Sequence, residues 1–146
     1  MDFAMKNILV LCTGNSCRIQ MAHGYLAYFA DAENVTIYSA GVETHGVNPL
    51  AIAIMKEDGI DISYHTSNNV NEYRDLPFDY VITVCDNAKE NCPFFPTNAI
   101  KLHHNFPDPS KLNSSAGAVI EEFRNVRAMI KEYCQEFILK NQLDKQ

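Results

Sequence analysis

The stretch Val10-Leu11-Cys12-Thr13-Gly14-Asn15-Ser16-Cys17-Arg18 decides the fold. The apolar run at residues 8–11 predicts a buried strand, and residues 19–26 follow it with helical periodicity. A short loop between a strand end and a helix start gathers backbone N–H groups at one point. Together with the positive end of the helix dipole, such groups bind an oxyanion. Gly14 and Asn15 are residue types that tolerate the positive φ a cradle of this kind uses. Cys12 is expected at the loop entrance. Arg18, six positions later, returns to the rim with a planar fork suited to a tetrahedral oxyanion. The field that holds the anion also favours a thiolate at Cys12.

The rest of the chain is consistent with a strand–loop–helix start. A length of 146 residues suits one domain spanning residues 1–146 with a single sizeable core. The hydrophobic fraction of 47% and charged fraction of 21% are those of an ordinary globular protein. A net charge of −6 argues against a nucleic-acid surface, which needs a clustered basic face. It leaves room for a small anion, because one arginine and a ring of amides suffice locally. Residues 1–6 lack the basic segment, apolar run and cleavage site of a leader. No apolar stretch approaches membrane-spanning length. A cytoplasmic, membrane-free monomer is expected. The five cysteines of such a chain point to catalytic, redox or buried roles rather than to a disulfide framework.

Strands are expected at residues 6–11, 35–40, 78–84 and 100–103, with Gly41 ending the second. Helices are expected at 18–30, at 50–58 after Pro49, and within 113–141, with a short one at 71–76. In the last long helix, Val119, Phe123, Val126, Ile130, Tyr133 and Phe137 recur at helical spacing. Strands alternating with helices imply an α/β fold with a doubly wound, mainly four-stranded parallel sheet flanked by helices. Ligands on such sheets bind at the carboxyl ends of strands. Cys12 and Cys85 are both expected there.

Two further signals carry chemistry. Cys85 and Cys92, seven positions apart and followed by Pro93, bracket a polar segment. Zinc knuckles use tighter spacing and a second ligand pair, so no metal site is expected. The segment can close to a disulfide if the two Cα atoms come within about 7 Å. Two unrelated buried cysteines are the alternative. Asp108, in Pro107-Asp108-Pro109, is either a turn residue or a carboxylic acid held over the anion loop as a proton donor. Cys17 and Cys134 are read as packing residues. His103 and His104, adjacent on a strand, project to opposite faces and make a poor chelate. Glu121 and Glu122 are read as a solvated helix face.

The loop from Cys12 to Arg18 resembles that of the low-molecular-weight tyrosine phosphatase superfamily. More narrowly, it resembles the thioredoxin-coupled arsenate reductases of that superfamily. Cys85, Cys92 and Pro93 look like the pattern that sets those reductases apart from the phosphatases. Tyr38 to Pro49 and Asp61 to Ser67 resemble the reductases as well. The resemblance implies that arsenate, or phosphate or sulfate in its place, sits on Thr13, Gly14, Asn15, Ser16, Cys17 and Arg18. It implies catalytic roles for Cys12, Arg18, Cys85, Cys92 and Asp108, thioredoxin as the reductant, and no cofactor. The rival readings are a phosphatase working through a phosphocysteine, and a non-catalytic oxyanion-binding or redox-sensing protein.

Two departures from the family pattern have consequences. Some members hold a potassium ion near the anion loop. Asn15, Ser39 and Thr66 match that site, but its acidic positions are His23 and Asn68 here. Without carboxylate charge a cation site loses most of its attraction, and no specific potassium site is expected. The family usually places serine directly after the loop arginine, where its hydroxyl supports the thiolate. Ile19 stands there and offers no hydrogen bond. The Cys12 pKa is therefore expected to be less depressed than in relatives. A titration of the Cys12 thiol checks this, and a value well below about 7 refutes it.

Overall fold

Ile8, Leu9, Val10 and Leu11 are all fully buried, as in a strand covered on both faces. The computed structural model describes residues 5–14, 17–43, 46–85 and 95–145. Strand β1 (Lys6–Gly14) lies between β2 (Val35–Glu43) and β3 (Tyr80–Thr83), and β4 (Ile100–His103) pairs with β3. All pairings are parallel, and the order is β2-β1-β3-β4. The expected four-stranded parallel sheet is present.

Three strand boundaries differ from expectation, each for a hydrogen-bonding or packing reason. β1 runs to Gly14 rather than residue 11, and β2 runs through Gly41 to Glu43. Cys12 pairs with Gly41 and Gly14 with Glu43. On the far side of β2, the Gly41 N–H donates to the Asn68 carbonyl at 3.0 Å. Gly41 therefore has partners on both sides, and losing a side chain does not interrupt the ladder. β3 is shorter than the predicted 78–84. Phe78 instead packs edge-on against Tyr38 and Phe95.

Helix α1 (Arg18–Phe29) has no side-chain cap, whereas α2 (Pro49–Glu57) and α3 (Ala116–Lys140) do. Asn48 accepts hydrogen bonds from Leu50 N at 2.8 Å and Ala51 N at 3.3 Å, and Pro49 is the first residue of α2. Gly59, at φ +77°, turns the chain beyond α2. The expected short helix is a 3-10 turn at Val70–Tyr73, started by Asn69 and Glu72 as a capping box.

Residues of α1, α2 and α3 share one buried cluster with Ile8, Val10 and Cys12 of β1. Leu9, Leu11 and Val81 face the other way, toward Val70, Phe78 and Phe95. This alternation follows from the two-residue period of a strand. Each fully buried aliphatic side chain contributes about 1.5–3 kcal/mol. Among the described residues no helix is long and apolar enough to cross a membrane.

The three helices are also tied by polar groups. Asp58, capping α2, accepts from the Tyr25 hydroxyl of α1 and from Lys131 Nζ of α3, both at 2.8 Å. Burial, and then Asp58, push the Tyr25 phenol well above its ordinary range. Glu57 receives Arg124 and Arg127, each at 2.8 Å. These two arginines, Arg124 first, hold its carboxyl down at about 2, below the ordinary 4.5. A carboxylate depressed in the folded state stabilises fully above its ordinary pKa and stops doing so as pH falls through the depressed one. Glu57→Gln should therefore remove part of the acid sensitivity of Tm between about pH 4.5 and pH 2, with the two melting curves converging at the acid end. The pairs are exposed, so the effect is small and shrinks with salt.

Candidate active site

The carboxyl ends of β1 and β3 form the site. Leu11 pairs with Thr83, and the Val84 N–H still donates to the Leu11 carbonyl at 3.0 Å. Cys85 follows one residue later. Cys12 and Cys85 are both fully buried and belong to one cluster with Cys17 and Ile19. Cys85 is disulfide-bonded, whereas Cys12, Cys17 and Cys134 are thiols. Cys92 and the polar segment before it lie outside the described residues.

The anion loop departs from expectation at its start. Cys12 stands inside β1 and not at a loop entrance, and Thr13 and Gly14 continue the strand. Pairing with β2 holds Gly14 extended, so the positive φ expected of it is not used. Among the described glycines that conformation occurs at Gly46 and Gly59. Asn15 and Ser16 lie outside the described residues. Cys17 is buried just before α1, and its carbonyl accepts the Met21 N–H at 3.0 Å.

Arg18 opens α1 and is only 3% exposed. Its Nη1 donates to the Phe106 carbonyl at 3.1 Å, and its Nη2 lies 3.6 Å from Asp108 Oδ2. The other Asp108 oxygen, Oδ1, accepts from Ser110 N at 3.0 Å and Ser110 Oγ at 2.6 Å, starting a 3-10 turn at Pro109–Lys111. The Asp-Pro loop thus acts both as a turn and as an arm that carries a carboxylate to Arg18. The structure brings Cys12, Cys85, Arg18 and Asp108 to one end of the sheet. A thiol, a fixed cation and a carboxylate form a set able to bind an oxyanion and move a proton.

The remaining cysteine and histidine readings agree with their surroundings. Cys134 is buried in α3, its thiol 3.7 Å from the Ala22 carbonyl, and burial pushes its pKa well up. His103 bonds Thr83 Oγ1 and Asn105 Oδ1, while His104 packs against Phe106 and Tyr133.

A polar network behind α1 has no local sequence signal. His23 Nδ1 and Ser39 Oγ are 2.8 Å apart, and the His23 ring leans on His65 with centroids 4.4 Å apart. His65 Nδ1 lies 2.9 Å from Gln20 Oε1, and Gln20 Nε2 donates to the Thr66 carbonyl at 3.1 Å. His23, Ser39, His65 and Thr66 border a cavity of about 210 Å³. Burial, and then the nearby His65, push His23 down to about 3, and burial also lowers His65. Both rings are therefore neutral near pH 7. This is where the resemblance puts potassium, and the residues do not fit it. A hard cation takes oxygen ligands with carboxylate charge, and a neutral imidazole suits softer metals. Among the described residues no group of three or more histidine, cysteine or acidic side chains gathers as a metal site.

Known proteins resemble this chain over most of its length. The family model for low molecular weight phosphotyrosine protein phosphatase matches residues 7–146. Arsenate reductase 1 of Staphylococcus epidermidis is 49% identical over 133 residues, covering 90% of this chain and 95% of its own. Arsenate reductase of Staphylococcus xylosus is 45% identical over 135 residues, covering 92% and 98%. A solved arsenate reductase in the phosphate binding state superposes with a TM-score of 0.76 at 36% identity, over 93% of this chain and 98% of that one.

Arg18→Lys keeps the charge but cannot meet the Phe106 carbonyl, Asp108 and an anion with one planar fork. Calorimetric titration with phosphate should show affinity at least about tenfold weaker than wild type.

Proposed function

Because the chain belongs to the low molecular weight phosphotyrosine protein phosphatase family, we propose that it reduces arsenate to arsenite through a relay of three thiols. One observation carries the reading. Cys12, near the carboxyl end of β1, and Cys85, two residues beyond the adjacent parallel β3, are buried in one cluster at the end of the sheet that carries the Arg18–Asp108 pair, and Cys85 is in a disulfide. That is the state in which the relay leaves Cys85. The arsenate reductases at 45–49% identity support the choice of substrate.

Arsenate sits on Thr13 to Arg18, held by backbone amides and the guanidinium. Cys12 attacks arsenic as a thiolate. An S–As bond forms, an As–O bond breaks, and the oxygen leaves as water with a proton from Asp108. Cys85 then attacks the Cys12 sulfur. The S–As bond breaks with its electron pair remaining on arsenic, which departs as arsenite, and a Cys12–Cys85 disulfide is left. Cys92 attacks Cys85, giving Cys85–Cys92 and releasing the Cys12 thiolate. A thioredoxin dithiol reduces the final disulfide. The thiols supply both electrons, so the scheme uses no resident cofactor. The reading assigns this chemistry to one domain acting as a monomer in the cytoplasm.

The phosphatase reading draws on the matched family model itself. Cys12, Arg18 and Asp108 would serve it through a phosphocysteine, with Cys85 and Cys92 idle.

The deciding assay is arsenite production with thioredoxin, its reductase and NADPH. Wild type should turn over repeatedly, and Cys92→Ser should stop after a single turnover. No arsenite from wild type, with hydrolysis of an aryl phosphate, would replace the reductase by the phosphatase.

A further inference from the structure

We propose that His23 is a positioning residue that fills the place of a structural cation, tying α1 to β2 and to residues 61–69 so that the anion site works without potassium. The inference rests on the anion-site reading above and adds what holds that site from behind.

The oxygen donors described there are already engaged within the protein. Ser39, 4% exposed, has its Oγ hydrogen-bonded with His23 Nδ1 at 2.8 Å. Thr66 Oγ1 donates to Asn68 Oδ1 at 2.6 Å, and the Thr66 carbonyl accepts from Gln20. The nearby carboxylates are committed to their own turns. Glu72 accepts from Asn69 N at 2.8 Å and Asn68 Nδ2 at 3.3 Å, completing the capping box. Asp61 accepts from Ser63 N at 2.8 Å and Ser63 Oγ at 2.5 Å. A cation entering here would have to break several of these bonds with no carboxylate to compensate.

The same bonds accomplish what a bridging ion accomplishes mechanically. Gln20 and His23 lie in the first two turns of α1, directly behind Arg18. His23 fastens that part of the helix to β2, and Gln20 fastens it to His65 and Thr66. The aromatic contact of His23 with His65 joins the two fastenings. The helix start that carries the anion loop is thereby held by neutral side chains.

A potassium response that is absent in wild type and appears when carboxylates replace His23 and Asn68 is the readout that a merely structural histidine would not give. Phosphate affinity by calorimetry, and Tm without phosphate, are measured in KCl and in choline chloride at equal ionic strength. Wild type should give equal Tm and phosphate affinities within about twofold in the two salts. His23→Ala should weaken phosphate binding by about fivefold in both, and His23→Gln, which keeps a hydrogen-bonding group, should recover part of that loss. The pair His23→Glu and Asn68→Asp should acquire a Tm that is higher in KCl than in choline chloride. A rise in wild-type Tm or phosphate affinity specific to potassium overturns the proposal. Unchanged phosphate affinity in His23→Ala also overturns it. Both readouts that overturn it are made without the double variant, so poor folding of that variant leaves the test intact. A wild type that ignores potassium and binds phosphate but makes no arsenite loses the reductase reading alone.

Discussion

The site depends on a guanidinium buried to 3% exposure at the start of α1. A charge that far from water must meet acceptors, because leaving it unpaired costs several kcal/mol. The Phe106 carbonyl and the Asp108 carboxylate meet it. That requirement brings the chain after β4 from the edge of the sheet back over the carboxyl end of β1. Phe106, fully buried, anchors the return by packing on His104 and Tyr133 of α3. The acid is thus placed by the same contact that satisfies the cation. Without the arginine, the loop loses its partner as well as the anion.

How much of this was legible in the sequence follows from how local each feature is. The spacing of Cys12 and Arg18 is a local signal, and the strand and helix on either side of it are read from periodicity within a few residues. Helix starts are equally local, as at Asn48-Pro49, and Asn69 with Glu72 carries a capping box that was available to the same reading. The extent of β1 and β2 was not legible. Gly41 looks like a terminator in isolation and becomes a paired strand residue only because Asn68 arrives on its other side. Contacts between distant segments were least legible. Arg18 reaches a carbonyl 88 residues away, and His65 reaches Gln20 across 45. Such pairs are set by the path of the chain, and no periodicity encodes them.

Burial gives the two departures from the family pattern a common physical sense. Ile19, where the family's serine is expected, is fully buried in the cluster that holds Cys12. A hydroxyl there would have to find a partner inside an apolar cluster, whereas the isoleucine contributes about 1.5–3 kcal/mol by leaving water. His23 likewise replaces a carboxylate by a ring that bonds Ser39 and packs on His65. Both residues lie on α1, and both exchange charge or polarity for internal cohesion. At these two positions the helix is therefore secured by packing and a neutral hydrogen bond.

The exchange shifts the electrostatic work onto fewer groups. The whole chain carries a net charge of −6, so its overall field does not draw in an anion. His23 and Asn68 offer no carboxylate to a cation behind α1, and Ile19 offers no hydroxyl at its own position. Among the described residues of the site, Arg18 supplies positive charge, reinforced by its place at the start of α1. Asp108, 3.6 Å from Arg18, partly offsets that guanidinium. An incoming oxyanion must therefore share the Arg18 fork with this carboxylate, so the guanidinium is divided between the anion and the loop that carries Asp108.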